Sequence, residues 1–183
     1  MSTYVVLLRG INVGSHNRIP MADLRALLAD IGHPDARTLV QSGNIVLSAD
    51  LSPEDLAAEL ERAIADRFGV QTPVVVRTRG ELAEVVALDP LGDVAHEHKL
   101  YQVSFLSAEP DPEAVAKIAQ EDYAPECFVQ VGREIYAWHP EGIHNSRLAR
   151  MLSDKRLGVV ATARNWKTTT KLLEMAQEHE RSG

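Results

Sequence analysis

Arg37-Thr38-Leu39-Val40-Gln41-Ser42-Gly43-Asn44-Ile45-Val46-Leu47 is the stretch that decides the fold. Two short apolar segments, Arg37 to Gln41 and Asn44 to Leu47, flank Ser42-Gly43, and a glycine at that point can take the positive φ that a tight hairpin turn needs. The hairpin is bracketed by helical patterns. Upstream, Pro20 suits a first helical turn, Leu24, Leu27, Leu28 and Ile31 repeat at helical spacing, and Gly32-His33-Pro34 ends the run. Downstream, Ser52 is an N-cap with Pro53 at the first helical position, and Leu56, Leu60, Ile64 and Phe68 form a buried stripe closed by Gly69. An apolar strand lies outside each helix: Tyr4 to Leu8 before, Pro73 to Arg77 after. The order is βαββαβ.

The same order recurs. Residues 79 to 89 read as a connecting helix carrying Leu82, Val85, Val86 and Leu88, closed by Asp89-Pro90. Lys99 to Leu106 then alternates as a strand and Asp111 to Gln120 as a helix. Cys127 to Val131 and Glu134 to Trp138 pair as a hairpin around Gly132-Arg133, Asn145 to Leu152 is helical, and Gly158 to Thr162 is a short strand. A terminal helix runs from Asn165 to about Glu180. These orders and lengths fit an α+β protein made of two split βαβ units of ferredoxin-like type. The expected division is residues 1–78, a connecting helix and loop over 79–98, and a second unit with the C-terminal helix over 99–183.

Composition narrows the functional classes. With 45% hydrophobic and 25% charged residues the chain builds a packed core. A net charge of -7 argues against a broad nucleic-acid surface, which needs clustered lysine and arginine to displace counterions. A single cysteine, Cys127, closes no internal disulfide, and no apolar run approaches the ~18 residues of a membrane span. Met1-Ser2-Thr3-Tyr4 does not open a secretion signal, so the expected location is the cytoplasm.

Five stretches carry a resemblance: Tyr4 to Gly14, Ile19-Pro20-Met21-Ala22-Asp23-Leu24-Arg25, Gln41-Ser42-Gly43-Asn44, Tyr136 to Ile143, and Leu157 to Leu173. Together the sequence resembles a family of uncharacterised conserved bacterial proteins, domain of unknown function 1697. The resemblance implies the same tandem arrangement. It brings no reaction and no cofactor, so enzymatic activity and cofactor both stay unassigned. The chain departs from the family pattern at Lys167 and Ala163.

Two polar cassettes stand out against the apolar strands: Leu8-Arg9-Gly10-Ile11-Asn12-Val13-Gly14 and Ala163-Arg164-Asn165-Trp166-Lys167-Thr168. In a ferredoxin-like unit the first two strands run the same way, so the loop after Leu8 and the hairpin turn share one rim with the start of the first helix. Arg9, Asn12, Gln41, Ser42 and Asn44 could surround a small anion there. The competing reading makes them loop and turn residues that bond backbone carbonyls. Gly10 and Gly14 lack the spacing of dinucleotide and P-loop motifs. In the second cassette Asn165 is a plausible N-cap, and with Arg164, Trp166, Lys167 and Lys171 it would form an anion site at a helix end that could complete the first. The alternative is a stripe of Trp166, Thr169, Leu173 and Ala176 that docks the terminal helix on the core.

Other signals point to structure. His96, His98, His139 and His144 read as surface histidines without a metal motif. Cys127 reads as a partly buried inert thiol beside Glu126, and Ser42 as a turn residue. Tyr101, Phe105, Phe128, Tyr136 and Trp138 are expected on one sheet face, more as core than as an RNA-stacking platform. Two alternatives to anion binding remain, a protein-interaction or self-association module using an open sheet edge or face, and the weaker one of RNA binding.

Overall fold

Ser2–Leu8, almost continuously apolar, forms β1, buried from Thr3 onward. The computed structural model describes residues 1–183. In chain order follow α1 (Met21–Asp30), β2 (Arg37–Leu39), β3 (Asn44–Ala49), α2 (Pro53–Phe68), β4 (Val74–Thr78), α3 (Arg79–Leu88), β5 (Tyr101–Leu106), α4 (Pro112–Ala119), β6 (Cys127–Val131), β7 (Glu134–Trp138), α5 (Arg147–Met151), α6 (Asp154–Leu157), β8 (Ala161–Asn165) and α7 (Trp166–Ser182). The strands form two antiparallel sheets of order β2-β3-β1-β4 and β6-β7-β5-β8. Each is a ferredoxin-like βαββαβ unit. By contact the chain divides into Met1–Glu84 with Lys171–Gly183, and Val85–Thr170.

In the first unit, Tyr4, Val6, Leu8, Ile45, Leu47 and Val76 point from the sheet into a core closed by Leu24 and Leu28 of α1 and Leu56, Leu60 and Ile64 of α2. The α2 ends are as the sequence dictates. Ser52 Oγ accepts the Asp55 N–H at 3.1 Å, and Gly69 ends the helix in the left-handed conformation. On the opposite side of the sheet Val5, Leu7, Val46 and Val75 are buried as well. The tail of α7 reaches that side, where His179 bonds Ser48 on β3 at 2.9 Å and Glu178 pairs with Arg37 on β2 at 3.6 Å.

The second unit repeats the plan with a different filling. Leu106, Ile135 and Ala137 pack with Ile118, Leu148, Leu152 and Leu157, and Phe128 lies on this side. Tyr101, Val103, Phe105 and Tyr136 occupy the other side and are fully buried. Phe128 therefore does not share a face with the other aromatics, because the strand alternates and it pairs with Ala137. Tyr101 stacks on Trp166 at 4.6 Å, its hydroxyl donates to Asp89 at 3.0 Å, and the Tyr136 hydroxyl donates to the Val85 carbonyl at 2.9 Å. Tyr101, Tyr136 and Trp166 thus form a buried aromatic nest, while Trp138 and Phe128 are half-buried outside it.

Three local expectations shift. β2 ends at Leu39, two residues early, because Val40 takes φ 51 and leaves the extended conformation. β8 begins at Ala161 rather than Gly158, because Gly158 is the left-handed C-cap of α6, a turn of helix that the sequence pattern did not show. On α7 the buried positions are Trp166, Thr169, Leu172, Met175 and Ala176, while Leu173 is half-buried, so the packed stripe is wider than the one expected.

The duplication reaches individual hydrogen bonds. Leu8 N–H bonds Gly43 O and Leu106 N–H bonds Arg133 O, each at 2.9 Å, while Arg9 N–H to Pro73 O has its counterpart in Ser107 N–H to Val160 O. Val74 N–H is held by the Glu61 carboxylate and Ala161 N–H by that of Asp154. Thr78 caps α3 through Glu81 N–H as Asn165 caps α7 through Thr168 N–H. Leucine recurs at 8 and 106, but the bonded partners differ in residue type between the units, so the repeat shows mainly in hydrogen-bond geometry.

Candidate functional site

The rim of the first unit is built where β1 ends. Leu8 is tied to the turn after β2, Arg9 N–H to Pro73 O at 3.0 Å, and the Thr72 hydroxyl donates to Arg9 O at 2.7 Å. The exit of β1 is thereby fixed between the hairpin turn and the entry to β4. Arg9, Asn12, Gln41, Ser42 and Asn44 do come together here.

Asn12 organises the loop that follows. Its φ of 53 is one that asparagine tolerates better than most side chains. Its amide Nδ2 donates to Ile19 O at 2.9 Å and Gln41 O at 2.6 Å, and its Oδ1 accepts Ile19 N–H at 2.8 Å. Asn12 N–H bonds Asn17 O at 3.0 Å, Asn17 Nδ2 bonds Gly10 O at 3.1 Å, and His16 N–H bonds Val13 O at 3.1 Å. Residues 12–17 thus make a miniature hairpin clamped to the turn beside it. Its tip is exposed, with Val13 at 64%.

The turn is as constrained. Asn44 is buried and its Nδ2 donates to Leu39 O and Ser42 Oγ, each at 2.9 Å. A Cβ on Gly43 would stand 2.7 Å from Leu8 Cβ and 2.8 Å from Ile11 Cδ1, and φ there is 84. Only glycine fits. α1 begins beside this loop at Met21, after Pro20, without a side-chain cap. Arg9, His16 and Arg18 lie in the loop, and no aspartate or glutamate occurs in residues 9–20, 40–44 or 70–73. His16, Arg18 and Gln41 are exposed and Arg9 is half-buried. The three loops thus carry two arginines, a histidine and several engaged amides, while the nearest carboxylates are Asp23 in the first turn of α1 and Glu61, which accepts Val74 N–H at 2.9 Å where β4 begins.

The second cassette is packed into its own unit. Arg164 is buried on β8, with its guanidinium on Thr162 Oγ1 at 2.7 Å and Ala163 O at 2.9 Å, and burial pushes its pKa down to about 10. Asn165 Oδ1 accepts Thr168 N–H at 2.8 Å, Trp166 N–H bonds His98 O at 3.2 Å, and the Trp166 ring lies in the aromatic nest. Lys167 and Lys171 are exposed, Lys171 pairing with Glu174 at 3.4 Å. The N-cap expectation for Asn165 holds in detail, and the cap and the His98 carbonyl take up two of the helix-end N–H groups.

Two clusters had no sequence signal. His139, expected at the surface, is buried, with Nδ1 2.5 Å from Glu126 Oε2 and 3.0 Å from Ser146 Oγ, and the Ser146 hydroxyl donates to Glu126. In the first unit His179 Nε2 is 2.9 Å from Ser48 Oγ and 2.8 Å from Asp35 Oδ2. Both sets have serine, histidine and carboxylate. Neither has relay geometry, because hydroxyl and carboxylate meet the same ring nitrogen, whereas a nucleophile and its orienting acid need opposite ones. Ser146 also accepts Ala149 N–H as the cap of α5. These are braces. Burial works against ionisation of Glu126, but the hydrogen bonds from Ser146 and His139 outweigh it and hold the carboxyl below its ordinary value.

No three His, Cys, Asp or Glu side chains gather as a metal-ligand set. Burial pushes the half-buried Cys127 thiol up, away from a reactive thiolate. Open grooves of ≈ 580 Å³ beside α4, with Lys117, Glu121 and Arg156, and of ≈ 420 Å³ between α1 and α2, with Glu59 and Arg62, carry charges of both signs, and no rim residue lines either. No helix is long and apolar enough to cross a membrane.

Fold and rim together define a tandem ferredoxin-like α+β protein with a hydrogen-bonded, arginine-bearing loop cluster on its first unit. The model of one family, proteins of unknown function designated DUF1697, matches residues 1–136, and the chain belongs to that family. The conserved bacterial protein SP0830 from Streptococcus pneumoniae has a similar structure, with a TM-score of 0.75, 21% identity, and coverage of 96% of this chain and 98% of that one. At that identity the likeness concerns the fold. No curated protein matches the sequence.

Proposed function

We propose that the protein binds a small anionic metabolite at the rim of the first unit. One observation carries this reading: the three loops that meet there hold Arg9, His16 and Arg18 without an acidic residue, in a chain of net charge -7. The loop hydrogen bonds preorganise the site, so little conformational entropy is lost on binding. Exposed Arg18 and Gln41 supply donors, and the amides around Gly10 and the start of α1 add fixed partial positive charge. Asn12 and Asn44 are the scaffold that holds those donors, since their amides are engaged with the loop itself.

The test is thermal unfolding with pyrophosphate, nucleotides, sugar phosphates, coenzyme A derivatives and di- and tricarboxylates. A ligand at 100 times its Kd stabilises by about 2.7 kcal/mol, a rise of several degrees. A selective rise that is lost in Arg18→Ala and His16→Ala supports the reading. A flat response to every anion, or one unchanged in both variants, overturns it.

A further inference from the structure

Four strands lie at sheet edges: β2 and β4 in the first sheet, β6 and β8 in the second. An open edge presents a row of unpaired N–H and C=O groups to any other strand, and proteins blunt their edges with charges, short strands or coverage. Three of these edges are blunted. On β4 the outward groups are taken by side chains: Glu61 on Val74 N–H, Arg77 on Val76 O and Glu81 on Thr78 N–H. On β8 Asp154 takes Ala161 N–H and Arg164 takes Ala163 O. β2 is three residues long and begins with Arg37.

β6 has none of these devices. Cys127-Phe128-Val129-Gln130-Val131 contains no charge and no proline. Its hairpin turns on Gly132 with φ 58, and Val131 stands opposite Glu134. A two-residue turn makes Val131–Glu134, Val129–Tyr136 and Cys127–Trp138 the hydrogen-bonded pairs, so the N–H and C=O of Phe128 and Gln130 point outward. No hydrogen bond in the chain takes them up.

We propose that β6 pairs antiparallel with β6 of a second copy of this chain, across a twofold axis through Val129. In that register Phe128 and Gln130 exchange backbone hydrogen bonds with Gln130 and Phe128 of the second copy. The strand is complementary to itself. Val129 meets its own counterpart, and Val131, 43% exposed, is laid against Cys127 of the second copy at both ends. No charge stands opposite a like charge, although each copy carries net -7. The two four-stranded sheets become one of eight. Five residues of edge supply less area than the ~1,200 Å² of standard interfaces, so the dimer is weak and its population rises across roughly 0.01–1 mM protein. Added salt strengthens it by screening the net charge.

The register gives a sharp test. In a Cys127→Ser background, Val129→Cys places two thiols at a non-hydrogen-bonded antiparallel pair, where Cα atoms approach to ~4.5 Å, within disulfide range. Mild oxidation is expected to trap a covalent dimer, whereas Gln130→Cys, offset from the axis, cross-links at least tenfold less. Sedimentation equilibrium of the wild type should show concentration-dependent dimer that disappears in Gln130→Pro, which loses the outward backbone N–H and, within the chain, the side-chain bond to Gly132 O at 2.7 Å; circular dichroism checks that this variant is folded. A wild type that is monomeric to 1 mM, equal cross-linking at both positions, or a dimer that survives Gln130→Pro overturns the proposal. The first of these outcomes would leave the edge to a foreign strand.

Discussion

Arg77 and Arg164 occupy the same site of the two repeats. Arg77 stands opposite Val5 on β4, Arg164 opposite Val103 on β8, and each guanidinium bonds the carbonyl of the residue before it, Val76 at 3.1 Å and Ala163 at 2.9 Å. Both are buried. A buried arginine is tolerable only when its donors are satisfied, so truncation strands its partners and leaves a void. Arg164→Ala is expected to lower stability by about 3 kcal/mol, and Arg164→Lys to recover less than half, because an ammonium cannot reproduce the planar fork. Urea unfolding of both variants gives the comparison.

Gly43 tests the architecture of the rim. Gly43→Ala drives a Cβ to 2.7 Å from Leu8 Cβ and forces alanine to a φ of 84. Overpacking and backbone strain together predict a loss of about 2–4 kcal/mol by chemical denaturation. At Gly10, where a Cβ meets open space, alanine carries the strain of a φ of 71 alone and is expected to cost about 1 kcal/mol.

Asn12 separates scaffold from ligand contact. Asn12→Asp retains the acceptor for Ile19 N–H and loses both donors, to Ile19 O and Gln41 O. A loss of about 1–2 kcal/mol follows from the stranded carbonyls. The variant also places an acid in the arginine-bearing rim, so anion affinity is expected to fall at least tenfold, measured by calorimetric titration.

Glu126 gives the pH dependence. Its side chain is 13% exposed and its folded pKa is depressed, so its contribution is present above the unfolded value of ~4.3 and is lost as the pH falls below that through the folded value. Glu126→Gln is expected to cost about 1–3 kcal/mol at pH 7 and to flatten the acid limb of the stability curve. Asp35 beside His179 is likewise depressed against the opposing effect of its burial, but at 40% exposure screening leaves Asp35→Asn well under 1 kcal/mol.

What could be read in the sequence was what chain-local chemistry controls. Ser52, Pro53 and Gly69 bound α2 because caps and positive-φ glycines act within one turn, and Gly132 fixes the β6–β7 hairpin to the residue. The rim followed from topology, which brings the end of β1 to the turn after β2. His139 was misplaced because its burial depends on Glu126 and Ser146, 13 and 7 residues away in the chain. Gly158 could equally have opened a strand or closed a helix. The equivalence of the halves was hidden because glycine at 43 matches arginine at 133, and only the backbone bonds from Leu8 and Leu106 reveal the match. The destination of the α7 tail rests on contacts more than 100 residues apart in sequence, such as His179 with Ser48, which periodicity does not encode.

Anion binding at the first rim is tested most directly by following the backbone amides of the wild type in a titration with inorganic pyrophosphate by heteronuclear NMR. The account predicts saturable shifts concentrated in residues 9–20, 40–44 and 72–73, abolished in Arg18→Ala. Shifts that never saturate, or that cluster instead along the α4 groove by Lys117 and Arg156, would contradict it.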